Sequence, residues 1–279
     1  MQDFEQNSIR AFPTQFSETD QINYLKKKPT HFIFLFGKQG VGKTAITASL
    51  IHYLASICEQ GNIEKVGNME GKKLGERIRY LISHNRFPDR TNVGSLTQVD
   101  CRFVPTKKNL KELDFTILEM SGEDLKQVDV NEHEGRLPDN IDVFFKAEGL
   151  SLTFILVTSY DQASADDSLM VNFLDYLIDK SPVYRESRVL LLISKWDEVP
   201  VQQDVEDFIR DNMRQTFRKI SRNTNAFRQF SLGAVDEVDG QPYIRNYNTE
   251  SPERVFEWLY KTLTGKHLFG MFESWRKFF

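Results

Sequence analysis

The residues Gly37-Lys38-Gln39-Gly40-Val41-Gly42-Lys43-Thr44 have the types and spacing of a phosphate-binding loop: glycine, four residues, then Gly-Lys-Thr. Glycines let a backbone curl until successive N–H groups point inward, where phosphate oxygens can accept from them. A helix opening at the end of such a loop adds its own unpaired N–H groups and the positive end of its dipole. Gly37, Gln39, Gly40, Val41, Gly42, Lys43, Thr44 and Ala45 are therefore the expected contact set for a triphosphate tail. Lys43 is expected to reach the β- and γ-phosphates, and the Thr44 hydroxyl to ligate Mg²⁺.

Two later segments add to this chemistry. In Phe115–Glu123 a carboxylate, Glu119, stands at the end of a strand-like run, three residues before Gly122. A carboxylate there can hold Mg²⁺ through water, and a glycine N–H there can sense the third phosphate. In Val189–Asp197 an aspartate follows a buried strand, at the carboxyl edge where open α/β sheets take ligands. Asp197 can accept from both N1–H and the 2-amino group of guanine, a pair of donors that adenine lacks. The aliphatic stem of Lys195 can lie along the base.

These residues need elements to hold them. His31–Phe36 is apolar and of strand length, and Ala45 to about Ser56 suits a helix, the setting the loop requires. Residues 59–75, rich in Gly and charge, read as loop. Leu74 to His84 has helical spacing, and residues 88–94 break it. Gln98–Val104 and Asp114–Glu119 read as a hairpin, and residues 123–137 as an irregular acidic stretch. Further helices are expected over about 138–147, 166–180 and 204–220, with Asp166 and Asp167 as caps. Strands are expected over 152–157, 189–193 and 227–232, before a last helix opened by Ser251-Pro252. The expected fold class is α/β: a P-loop NTPase three-layer sandwich whose mostly parallel sheet has one antiparallel strand and helices on both faces. The expected organisation is a polar N-terminal extension over 1–29, one nucleotide-binding domain over 30–265, and an aromatic amphipathic tail over 266–279.

Composition narrows the function classes. A hydrophobic share of 40% and a charged share of 27% fit a globular chain. A net charge of −4 argues against sequence-independent nucleic-acid binding. The start of the sequence lacks the basic and apolar regions of a secretory signal, and no apolar run approaches membrane-spanning length. Cys58 and Cys101 have no CxxC spacing and are expected as buried thiols in a cytoplasmic protein.

Taken together, the chain resembles P-loop GTPases of the translation-factor and Ras-like (TRAFAC) class, and its middle is similar to bacterial double-GTPase-type domains. Residues 37–44 match the first motif of that class. Glu119 to Gly122 resembles the third, usually Asp-x-x-Gly, and Ser194-Lys195-Trp196-Asp197 the fourth, usually Asn/Thr-Lys-x-Asp. Phe230–Gly233 stands where the fifth lies, which implies an N–H of Ser231 or Leu232 facing the guanine O6. The resemblance places Glu123 where relatives carry a water-positioning glutamine. It requires a switch threonine, for which Thr91 is favoured and Thr97 is the runner-up. Arg86 and Arg90 flank that region without an assigned role. Ser194 in place of Asn or Thr, Glu119 in place of Asp, and Gln39 in place of a glycine imply slow intrinsic hydrolysis.

The resemblance implies a switch that binds Mg²⁺ with GTP or GDP, with catalytic roles for Lys43, Glu123 and Thr91 and metal ligation by Thr44, Thr91 and Glu119. It implies an effector or activating protein as partner and no nucleic acid. Two other readings stand beside it: an ATP-using P-loop enzyme in which Lys195-x-Asp197 is accidental, and a nucleotide-stabilised structural subunit without turnover. In the tail, Leu268, Phe272, Trp275 and Phe279 fall at helical spacing with Lys266, Arg276 and Lys277 nearby. This is expected either to pack back on the domain or to dock a partner or, at most peripherally, a membrane surface.

Overall fold

The computed structural model describes residues 17–28, 30–65, 96–120, 139–180, 187–200, 203–220, 226–238 and 241–269. Three expected features lie outside them: the helix over 74–84, the break over 88–94 and the acidic stretch over 123–137.

The first strands show how the sheet is built. β1 (His31–Phe36) lies between β4 (Leu113–Met120) and β5 (Leu152–Ser159), parallel to both. β6 (Arg188–Ser194) and β7 (Ala226–Gln229) extend the parallel set on one side. On the other side, β3 (Leu96–Pro105) pairs antiparallel with β4, and β2 (Gly61–Lys65) pairs antiparallel with β3. The order is β2-β3-β4-β1-β5-β6-β7, with β3 alone running against the rest. The expected hairpin is thus present. Within the expected loop over 59–75, Gly61–Lys65 instead closes the sheet edge as β2, and residues 66–75 lie outside the described residues. A Cβ on Gly61 would come within 2.6 Å of Val104 O and 2.4 Å of the Phe103 ring, so its glycine belongs to strand packing and not to a loose turn.

Alternation along β1 divides the core in two. Phe32, Phe34 and Phe36 face one side with Phe154, Phe144, Phe145 and Phe173; Ile33 and Leu35 face the other with Ile155, Val157, Phe115 and Ile117. The aromatic side is covered by α3 (Asp139–Lys146), α4 (Ala163–Lys180) and α5 (Val205–Asn212). The aliphatic side is covered by α2 (Lys43–Ser56) and α7 (Glu250–Thr264). Each fully buried phenylalanine contributes about 1.5–3 kcal/mol, which accounts for the abundance of this residue. The result is the three-layer α/β sandwich that alternating apolar strands and amphipathic helices imply.

Several local expectations change. Residues 18–27 form α1 (Glu18–Lys27), not a loose lead-in. Ser17 and Asp20 make a capping box, Leu25 is buried in the core, and Lys146 reaches back to Glu18 at 3.1 Å. The helix expected over 204–220 is two, α5 and α6 (Arg214–Ile220), interrupted at buried Met213. The interruption has a distant cause. The Asp167 carboxylate, on α4, accepts from Gln215 N at 3.1 Å and Thr216 N at 2.9 Å, capping α6 from another helix. Asp167 is therefore a cap, but not of its own helix. α7 is capped by Asn248 Oδ1, which accepts from Glu250 N and Ser251 N, in place of the expected Ser251. The last sheet strand is shorter than expected. A separate hairpin follows it, β8 (Ala234–Val238) with β9 (Gln241–Arg245). That hairpin is fixed to α2 through buried Ile244 against Ala48, and its exit through Tyr247, whose hydroxyl lies 2.6 Å from Ser49 Oγ.

Candidate functional site

The site lies where β1, β4 and β6 end. Gly37 follows β1 directly, and a Cβ there would come within 2.1 Å of Val157 O, so the chain passes this point only without a side chain. Gly42, at φ +90°, turns the loop into α2 in a conformation that L side chains rarely adopt. Lys43 and Thr44 are then the first two residues of α2. The Lys43 side chain is buried and folds over its own loop, with Nζ donating to Gly37 O at 2.7 Å and Lys38 O at 3.1 Å. These bonds hold the ammonium at the loop's mouth.

Glu119, one residue from the end of β4, is 1% exposed. Its Oε1 accepts from Thr44 Oγ1, and Thr47 Oγ1 lies 3.5 Å from Oε2. A buried carboxylate in direct contact with the loop's threonine is the oxygen pair that Mg²⁺ accepts, one carboxylate and one hydroxyl, with phosphate and water completing the shell. The residues present therefore fit that ion. Among the described residues no group of three His, Cys, Asp or Glu side chains could cage a metal without a nucleotide.

The fourth motif meets the loop from β6. Ser194 Oγ donates to Val41 O at 2.7 Å, with Thr158 O second at 3.2 Å, so serine supplies the cross-link to the phosphate loop expected of a residue at that place. Lys195 follows in the left-handed region at φ 54°, which is costly for a side-chain-bearing residue, and a short 3₁₀ turn, Trp196–Glu198, comes next. This turn carries the Asp197 carboxylate to the exposed carboxyl edge of the sheet. Lys195 Nζ lies 3.4 Å from Asp161 Oδ1, which holds its stem along the same edge.

Asp197 Oδ1 accepts from Ser231 Oγ at 2.7 Å, and Ser231 Oγ in turn accepts from Gly233 N at 3.2 Å. The segment after β7 thus stands against Asp197. Ser231 N–H donates to Ser251 Oγ at 3.1 Å, which ties this segment to α7. The position of Thr97 is corrected: it lies within β3, opposite Glu119 of β4, and not ahead of the hairpin. Thr91, Gly122 and Glu123 lie outside the described residues.

One participant was missed from sequence. Asp166, on the first turn of α4, is fully buried; it accepts from Thr158 Oγ1 at 2.7 Å and pairs with Lys38 Nζ at 2.6 Å. It ties the second residue of the phosphate loop to α4. Nothing short-range in the sequence joins Lys38 to Asp166, since the contact exists only once β1 and β5 are side by side.

The architecture is that of an α/β P-loop NTPase. No protein-family model matches the chain, and no curated protein matches it. Among solved structures it is similar to the signal recognition particle receptor SRb-GTP/SRX complex from Chaetomium thermophilum, at 15% identity, covering 84% of this chain and 99% of that chain, with a TM-score of 0.39. At that score the likeness adds nothing to what the sheet order and the loop already show. No described helix is long and apolar enough to cross a membrane. Of the cysteines, Cys101 is buried and Cys58 only partly so. Both are thiols, and burial pushes both up from the ordinary thiol range.

Proposed function

We propose that the chain is a guanine-nucleotide switch that binds GTP or GDP with Mg²⁺ and hydrolyses GTP slowly. The observation that carries this reading is the bond from Ser194 Oγ to Val41 O. It ties Ser194 to the phosphate loop, and this supports a reading in which Asp197, three residues on, would meet a base whose phosphates lie in that loop. Lys43 would exchange its loop carbonyls for the β- and γ-phosphates. Thr44 and Glu119 would hold Mg²⁺, which supplies charge neutralisation on the phosphate oxygens. Phosphoryl transfer of this kind needs mostly positioning and fixed positive charge, and loop N–H groups with Lys43 provide both. Glu123, as the residue nearest the attacking water, and Thr91, as the switch threonine, complete the proposal. Hydrolysis alone yields no useful product, so the output is binding of a partner protein.

Asp197→Asn tests the base contact. The amide presents a donor where guanine N1–H also donates, so GTP affinity should fall roughly a hundredfold, about 3 kcal/mol, and preference should move toward xanthosine triphosphate. Unchanged GTP affinity in titration calorimetry refutes the assignment.

A further inference from the structure

The phosphate loop is held at two points, and both holds pass through the end of β5. Thr158, the next-to-last residue of that strand, is fully buried. Its carbonyl oxygen lies 3.2 Å from Ser194 Oγ, which donates to Val41 O at 2.7 Å. Its hydroxyl donates to Asp166 Oδ2 at 2.7 Å, and Asp166 Oδ1 pairs with Lys38 Nζ at 2.6 Å. The loop is thus fixed at Val41 from β6 and at Lys38 from α4. Between the two holds, Gln39 and Gly40 are exposed, and a Cβ on Gly40 would meet nothing within 4 Å. The tip has no wall of its own among the described residues, so its shape follows from where its two ends are held.

Two adjacent carboxylates of α4 do different work here. Asp167 turns to α6 and accepts from Gln215 N and Thr216 N. Asp166 turns to the loop. Its ion pair with Lys38 has no net charge, so the pair itself adds little attraction for phosphate. What it supplies is geometry. A loop whose N–H groups are already aimed does not have to be ordered as the ligand arrives, and its dipoles need no reorganisation. Lys43, whose Nζ donates to the carbonyls of Gly37 and Lys38, stands on the same fixed segment. A shift of Lys38 would therefore move the resting place of the Lys43 ammonium as well.

We propose that Asp166 is a positioning residue of the nucleotide site, which holds the phosphate loop through Lys38 in the form that receives phosphate. This rests on the switch reading only in that phosphates enter the loop, whatever base they carry.

The test is titration calorimetry of the full chain with GTP, GDP and ATP in Mg²⁺, at a temperature where circular dichroism shows every variant folded. Asp166→Asn and Lys38→Met should each weaken every nucleotide that the unaltered chain binds, by the same factor of about ten or more. The double variant should bind about as well as either single one, because one hold is lost in all three. Lys38→Arg keeps the ion pair and should bind within about threefold of the unaltered chain. Asp167→Asn separates positioning from folding: it should lower the melting temperature through the lost cap of α6 and leave nucleotide affinity unchanged. Unchanged affinity in Asp166→Asn overturns the proposal. Tighter binding does so too, since it would mean that Asp166 withholds Lys38 from phosphate. An equal loss in Asp167→Asn would assign the effect to general destabilisation. ATP binding as tightly as GTP would sink the assigned base contact and leave the role of Asp166 standing, whereas no nucleotide binding by the unaltered chain overturns both.

Discussion

Lys38 and Asp166 show how one pair of residues can secure a loop. The carboxylate is fully buried, whereas the lysine side chain is 42% exposed. That asymmetry makes a prediction. Lys38→Met leaves a charge buried without its cation and should cost about 2–3 kcal/mol of stability. Asp166→Asn keeps a partner for Thr158 and leaves an ammonium that water can reach, so it should cost only about 1 kcal/mol. The double variant should be more stable than Lys38→Met alone. Denaturant titration of the three variants measures this, and equal, additive losses would show that the two side chains do not act as a pair. At this scale the sequence was informative wherever chemistry is carried by a local pattern. Lys43, Thr44, Glu119 and Ser194 meet at the loop, and Asp197 follows Ser194 on the same edge of the sheet. It read Asp166 as a helix cap and not as the partner of Lys38 and Thr158, and it could not show that Ser231 N–H is bonded to Ser251, because these contacts join distant segments.

At the scale of elements, the misreadings have one physical theme: partners supplied from outside the element. α6 begins where Asp167 of α4 caps it, and no helical periodicity in residues 204–220 reports that. β2 exists because β3 offers it an edge. Two signals were present but passed over: Ser17-x-x-Asp20 as a capping box, and Asp239-Gly240 between strand-like runs as a hairpin turn. The junction of β1 and β5 carries a pH dependence. His31 Nδ1 lies 2.6 Å from Ser151 Oγ, and burial lowers the His31 pKa below its usual 6.5, only partly offset by Asp114. His267 is shifted the same way, by burial and then by Lys261. The folded chain therefore holds these protons more weakly than the unfolded chain. Their contribution to stability is full above 6.5 and is lost as pH falls from there through the depressed folded values. Melting temperature should drop between about pH 7.5 and about pH 5, and less steeply in His31→Gln. An identical slope in that variant would remove His31 from the account.

At the scale of the whole molecule, the two ends of the parallel sheet differ. The phosphate loop, Glu119 and the Trp196–Glu198 turn lie at the carboxyl ends, and exposed lysines gather at the amino ends. The first arrangement was legible in sequence, because alternation of apolar strands with amphipathic helices dictates a parallel sheet, and parallel strands bring their following loops to one edge. The second was not, because Lys26, Lys107 and Lys266 become neighbours only through the hairpin and the return of α7. The central claim is that the carboxyl edge grips a guanine nucleotide. Titration calorimetry of the chain with GTP, GDP and ATP in Mg²⁺ tests it most directly. The account predicts that GTP and GDP bind and that ATP binds at least roughly a hundredfold more weakly; ATP binding as tightly as GTP, or no binding of either, would contradict it.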